Sequence, residues 1–262
     1  MNILQSYVLT EKNPINAKTS IGTSKRYNFA NSQNIIDRLK IDGFNLVGTS
    51  YAKTKKTEYQ GYQKHIMIFE KPDLKIDDNN TLQLLVTNSH KGDCALKFDI
   101  GVFRAICANG LVAGDNYGKW SIRHDAPLFV EKFDNTLTEI YEKMPLVASM
   151  VKRMKEYKPT LEEIEYLKET AVKLRVNNDN LLTFEGRSFN PRRFEDQKQD
   201  LYTVFNRIQE TVMRGGIKYK FMKVDEDGIK TIKNMTTSAV KSLDLKRELN
   251  KALWNLTEAL VA

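Results

Sequence analysis

Residues 81–114 read TLQLLVTNSHKGDCALKFDIGVFRAICANGLVAG, and the fold class turns on them. TLQLLVTNS (81–89) and CALKFDI (94–100) are strand-like segments, and NSHKGD (88–93) between them is rich in turn-forming residues. The pattern predicts an antiparallel hairpin. GVFRAICANGLVAG (101–114) then reads as one short helix on that sheet. Val102, Phe103, Ile106 and Cys107 share a face at helical spacing. Asn109-Gly110 suits the C-terminal stop, and Leu111 and Val112 re-enter the core as extended chain.

Upstream, FNLVGTSY (44–51) and QKHIMIFE (63–70) add two strands, joined by the polar tract AKTKKTEYQGYQK (52–64). A short helix precedes them from about Ser32, with Ile35, Ile36 and Leu39 inward and Gly43 as its stop. Residues 1–30 read as an irregular arm. Downstream, GKWSIRHD (118–125) alternates as a strand through Trp120 and Ile122. From Leu128 the period is helical, with a stripe from Phe129 to Met154 that Pro145 should kink or divide. Thr160 and Glu163 form a capping box for the next helix, with Leu161, Ile164, Leu167, Ala171 and Leu174 inside. Residues 177–200 read as a loop-rich insert. In DLYTVFNRIQETVMRGG (200–216), Leu201, Val204, Phe205, Ile208 and Val212 share one face, and Gly215-Gly216 closes the helix. IKYKFMKV, DEDG and IKTIKNMT (217–236) read as a basic hairpin. A last helix from about Asp244 turns Leu245, Leu249, Leu253, Leu256 and Leu260 inward. The fold expected is α+β: an antiparallel sheet with short helices in the N-terminal half, then a helical half carrying the hairpin. Residues 31–262 are expected as one domain, sheet-rich over 31–127 and helix-rich over 128–262.

The 262 residues carry a net charge of +8, collected in two zones. Residues 1–71 hold 11 Lys and Arg against 5 Asp and Glu; residues 187–247 hold 14 against 8; residues 72–150 hold 8 against 11. Such zones make a polyanion a plausible partner, and they also occur as plain solvated faces. No apolar run is long enough for a membrane helix, and two cysteines form no disulfide framework. A cytoplasmic protein without membrane attachment is expected. No phosphate-binding loop, His-Glu-x-x-His or Cys-x-x-Cys occurs, so no cofactor, structural metal or catalytic residue is assigned. Asp77-Asp78 and Asp225-Glu226-Asp227 could hold a divalent ion, but acidic residues are common in turns anyway. Cys107 with His124 could form a nucleophile and base, although Cys107 reads first as a small core residue.

Basic residues interleaved with aromatics are the stronger signal. GRSFNPRRF (186–194) sets Arg187, Arg192 and Arg193 beside Phe189 and Phe194. Arginine forks match phosphate and exposed rings stack on bases; alternatively both Phe residues anchor the loop, and Glu195 and Asp196 pair the arginines locally. Pro191 is expected to project Arg192 and Arg193 into solvent from a semi-rigid loop. Lys218 and Lys220 alternate with Tyr219 and Phe221 along the hairpin, as a phosphate-tracking ribbon or as an edge strand guarded by lysines. Lys55 and Lys56 lie near Tyr59 and Tyr62 in the first zone.

Three stretches in order, ALKFDIGVFRAICANGLVAG followed by SIRH, then EDQKQDLYTVFNRIQETVMRGG, then KSLDLKRELNKALWNLTEAL, resemble a known family. It is the phage- and plasmid-like group called domain of unknown function 932. The resemblance runs from about Phe44 to the C-terminus. It implies a mobile-element gene and no established activity. Arg104, Cys107, Asn109, Gly110, His124, Asn206, Glu210, Asn250 and Trp254 fall in or beside these motifs, and a structural role is the first reading for them. The function expected is nucleic-acid binding in DNA metabolism, with single-stranded DNA favoured and binding or annealing as a homo-oligomer. The alternatives are a module that binds a host defence complex and a metal-dependent nuclease.

Overall fold

The computed structural model describes residues 13–105, 109–127, 129–177, 180–224 and 229–262. A helix, α1 (Ser32–Ile41), leads into strands β1 (Asn45–Tyr51), β2 (His65–Asp77), β3 (Asn80–Asn88), β4 (Leu96–Arg104), β5 (Asn109–Val112) and β6 (Trp120–Ile122). Helices α2 (Phe129–Glu156) and α3 (Leu161–Val176) follow. Strand β7 (Leu181–Phe184), helix α4 (Leu201–Arg214), strands β8 (Lys218–Val224) and β9 (Lys230–Thr236), and helix α5 (Leu243–Glu258) complete the order. One sheet runs β1-β2-β3-β4-β5 with β6 also against β4, and a second runs β7-β8-β9. The class is α+β, as the hydrophobic pattern predicts.

The described residues of Met1–Lys75, Thr81–Gly101 and Lys119–Glu142 pack as one unit. Its core takes Met67 and Phe69 from β2, Leu84 and Val86 from β3, Leu96, Phe98 and Ile100 from β4, and Phe133 and Leu137 from α2. Phe98 meets Phe133 edge-on at 5.5 Å. A buried polar network sits beside this apolar set. His65 Nδ1 lies 3.0 Å from the Gln63 carbonyl, which can only accept, so Nδ1 carries the proton. Its Nε2 therefore accepts from the Ser32 hydroxyl at 2.7 Å. Ser32 Oγ in turn accepts from His90 Nε2 and from Asn88 Nδ2, both at 3.1 Å. Asn88 also donates to the Ala30 carbonyl at 2.9 Å, fixing the chain that enters α1.

The described residues of Ile76–Asn80, Val102–Gly118 and Lys143–Ala262 form the other unit. Helices α3, α4 and α5 pack on one another, and β5 lies against α5. Thr160 caps α3 reciprocally with Glu163, as the capping box predicts. Leu201, Val204, Phe205, Ile208 and Val212 of α4 are all buried. Phe205 meets Trp254 edge-on at 5.9 Å. Two residues past β5, Gly114 leaves room for the Asn255 side chain, with which a β-carbon there would collide.

Several expectations need correction. Residues 102–104 are strand, not helix: Leu96, Phe98, Ile100, Val102 and Arg104 are buried at every second position, and this period outruns the helical one. Ile106 and Cys107 lie outside the described residues. Pro145 does not divide α2, which runs through it. The proline removes one backbone bond, while buried Ile140, Met144, Val147 and Val151 hold the helix on either side. Leu161, Leu174 and Leu245 are exposed at 82%, 38% and 38%, because α3 and α5 seat narrower stripes than a tally of leucines implies.

Phe205→Ala should lower stability by about 3–5 kcal/mol, read as a shifted urea midpoint. Acid should act through the histidines. Burial holds His65 down at about 4 and His90 at about 3. An unfolded histidine takes its proton near the ordinary value of about 6.5. Stability should therefore be flat above that value and fall below it, by about 1.4 kcal/mol per pH unit for each histidine until its folded value is reached. His65→Gln should flatten the slope in urea melts between pH 6 and pH 4.

Candidate nucleic-acid interface

Strands β8 and β9 pair in register from Lys218 opposite Thr236 to Lys223 opposite Thr231. Gly215 and Gly216 swing the chain out of α4 at φ 78° and 89°, values that suit glycine. The Gly216 amide then donates to the Thr237 carbonyl at 2.7 Å and closes the base of the hairpin. Strand β7, inside the segment expected to be loop, adds a third strand with Thr183 opposite Lys220 and Phe184 opposite Tyr219.

Directly opposed residues share a face of an antiparallel sheet, and the register sorts this one. One face carries Lys218, Lys220, Lys230, Thr183, Asn234 and Thr236, all exposed, with exposed Ile232 and half-buried Met222 between Lys230 and the rest. The other carries Phe184, Tyr219 and Phe221, half-buried, with exposed Lys223 and Lys233 toward its rim. Tyr219 and Phe221 stack at 6.0 Å, and Phe184 rests edge-on against buried Phe189 at 5.9 Å. Lysines and rings that alternate in sequence thus face opposite ways. A groove of about 630 Å³ is lined by Thr183, Lys218, Tyr219, Lys220, Asn234 and Thr236 among others. Glu185 lies 3.9 Å from Lys218 and 3.3 Å from Arg187, whose side chain is 85% exposed. Lys220, Lys223, Lys230 and Lys233 make no ion pair among the described residues. The acidic turn Asp225-Glu226-Asp227 lies outside them.

The pair in NPRRF divides. Arg192 is exposed. Arg193 does not project into solvent: it forks onto Glu210 at 2.8 and 2.9 Å and also reaches Asp196 at 3.0 Å. Asp196 is buried and takes Arg104 at 2.8 Å on its other oxygen. Burial works to raise the Asp196 carboxyl, but the hydrogen bonds from Arg104 and Arg193 outweigh it and hold it below the usual carboxylate range. The Arg193 bond holds Glu210 low as well. Arg193 is thereby consumed by structure. Phe189 is buried and Phe194 is 81% exposed, so only the first of the two anchors the loop.

The remaining candidates are placed as follows. Lys55 and Lys56 are exposed in the first unit, with Lys56 Nζ 5.5 Å from the Tyr59 ring centre. His124 in that unit is buried, donates to the Asn28 carbonyl at 3.1 Å and stacks on Tyr27 at 4.4 Å; burial lowers its pKa. Asn109 and Gly110 open strand β5 instead of ending a helix. Asn206 donates to the Tyr202 carbonyl at 2.7 Å. Asn250 accepts from Gln209 at 3.0 Å and donates to the Lys246 carbonyl at 2.8 Å. Trp254 is buried against Phe205 and Tyr117. Asp77 is engaged by Lys155, Asn80 and the Asn79 amide. Lys230 and Lys233 were not singled out beforehand, because only the register shows which face each joins.

A family model described as a domain of unknown function, DUF932, matches residues 22–254. The chain belongs to the DUF932 family. Two Escherichia coli (strain K12) proteins, UPF0380 protein YfjQ and UPF0380 protein YafZ, are each 25% identical to it over 245 residues. The similarity covers 91% of this chain and 84% of each relative. No solved structure matches it. In this DUF932 chain the three motif stretches supply β4 and β5, then α4, then α5. Among the described residues no helix is long and apolar enough to cross a membrane.

Arg104→Ala should destabilise by up to about 3–5 kcal/mol, because it takes the more deeply buried of two counter-charges from a buried carboxylate. Arg193→Ala should cost less, its side chain being 30% exposed. Arg192→Ala should leave the urea midpoint unchanged.

Proposed function

We propose that this DUF932 chain is a sequence-independent nucleic-acid-binding protein of phage or plasmid DNA metabolism, gripping single-stranded DNA by its backbone. The observation that carries this reading is the open face of β7, β8 and β9. Lys218, Lys220 and Lys230 stand there with Thr183, Asn234, Thr236 and the apolar Ile232, and all are exposed. Charges of one sign on a flat ribbon attract a phosphodiester chain and release its counterions. Three strands at about 4.8 Å spacing give a platform roughly 10 Å wide, which suits one backbone. The rings lie on the opposite face, so stacking contributes little to this grip and base identity is not read. Arg187 and Arg192 extend the exposed positive charge of the same unit. Strand annealing by a homo-oligomer is a reaction that such a grip would serve.

A fluorescence titration with single-stranded and duplex oligonucleotides at several salt concentrations tests the reading. Each lost phosphate contact removes about 0.7 from the log–log salt slope on single strands. The triple change Lys218→Ala, Lys220→Ala and Lys230→Ala should flatten the slope by about 2 and leave the melting midpoint unchanged. Absence of binding at low salt would reject the proposal and favour an acidic protein surface as the partner of this face.

A further inference from the structure

The second unit holds another polar cavity, of about 290 Å³, away from the strand faces just described. Its walls are Asn79 just before β3 and Asn80 at its start, Arg104 at the end of β4, Lys155 on α2, and Lys198, Asp200, Tyr202 and Thr203 around the start of α4. Its size is near the lower bound of small-ligand sites, and its lining is unusual for such a site because it is mostly polar.

Accounting for its charges shows what it would accept. The carboxylates are nearly all engaged. Asp77, behind the wall, takes Lys155, the Asn80 side chain at 2.7 Å and the Asn79 amide at 3.0 Å. Asp196 takes Arg104 at 2.8 Å and Arg193 at 3.0 Å. Asp200 caps α4, accepting from the Thr203 amide and hydroxyl, both at 2.9 Å. Glu195 is the exposed exception at the rim. The cations are less engaged. Lys198 is exposed and makes no ion pair among the described residues. Lys155 has three N–H donors; its ammonium lies 5.2 Å from the Tyr202 ring centre and spends one donor on Asp77. Four cations thus face four carboxylates, but the carboxylates are mostly spent while Lys198 and Lys155 keep unspent N–H donors, so free donors exceed free acceptors around the cavity.

We propose that this cavity binds a phosphate monoester dianion, with Lys198 and Lys155 as its charge partners and the side-chain amide of Asn79 as a neutral donor. Two sources present that chemistry: a free phosphate or mononucleotide, and the phosphorylated end of a nucleic-acid strand. The site does not depend on the strand-binding face of β7–β9, and the two can fail separately.

The test compares inorganic phosphate, a nucleoside monophosphate, and one oligonucleotide made with a 5′-phosphate or a 5′-hydroxyl. Each is titrated into the full chain and into Lys198→Ala and Asn79→Ala. Both changes are at positions whose loss leaves the cap of α4 and the Arg104–Asp196 pair in place. If a strand end is the ligand, the phosphorylated oligonucleotide should bind at least tenfold tighter than the hydroxyl form, and Lys198→Ala should abolish the difference. If the free ester is the ligand, phosphate or the nucleotide should bind at millimolar or lower concentration, weakened at least tenfold by Lys198→Ala. No binding of any monoester, or binding indifferent to both substitutions, would overturn the proposal. Loss of the oligonucleotide grip in the β8–β9 lysine variant with monoester binding intact would leave this site standing without the other.

Discussion

A buried carboxylate held by two guanidinium groups organises the second unit. Asp196 sits in the loop before α4, 92 residues from Arg104 at the end of β4, and joins them at 2.8 Å with both side chains almost fully buried. Arg193 braces the same carboxylate and forks onto Glu210, two and a half turns into α4. Strand, loop and helix are thus tied by four alternating charges. Taking any one away leaves its neighbour with fewer counter-charges in a medium that solvates charge poorly. This is why an arginine belongs inside a stretch as apolar as FRAICANGLVAG: it is the counter-charge of a loop far along the chain.

Elements governed by local physics were legible from the residues themselves. The Thr160–Glu163 box caps α3 where the spacing says, and the α4 stripe is buried at each of its five positions. The turn at 88–93 joins β3 to β4. Elements decided by competition or by distant partners were not. Val102 and Phe103 fit a helical face and a strand equally well, and the run of alternate residues from Leu96 to Arg104 settled the matter. Strand β7 is four residues long and exists because β8 offers it an edge. Leu161 and Leu245 look like core residues until the narrowness of the surface beneath α3 and α5 is seen.

The candidate interface shows the same division. The basic and aromatic character of 217–236 is plain in the letters. Its sorting onto two faces follows from a period of two, which the interleaved pattern already contained but which only pairing with β7 and β9 turns into a surface. Arg192 and Arg193 are indistinguishable as neighbours. One remains exposed and the other is consumed, because Glu210 lies 17 residues on and α4 brings it round. No local rule separates such a pair.

Strand β9 is exposed along its whole length and forms an outer edge of its sheet, with Ile232 and Met235 uncovered. Its backbone offers an unfilled row of donors and acceptors, to which another extended chain can add. Lys230 and Lys233 oppose that addition by repulsion between like charges. The two ammonium groups therefore guard the strand edge, and neutralising them removes a safeguard against strand-on-strand aggregation.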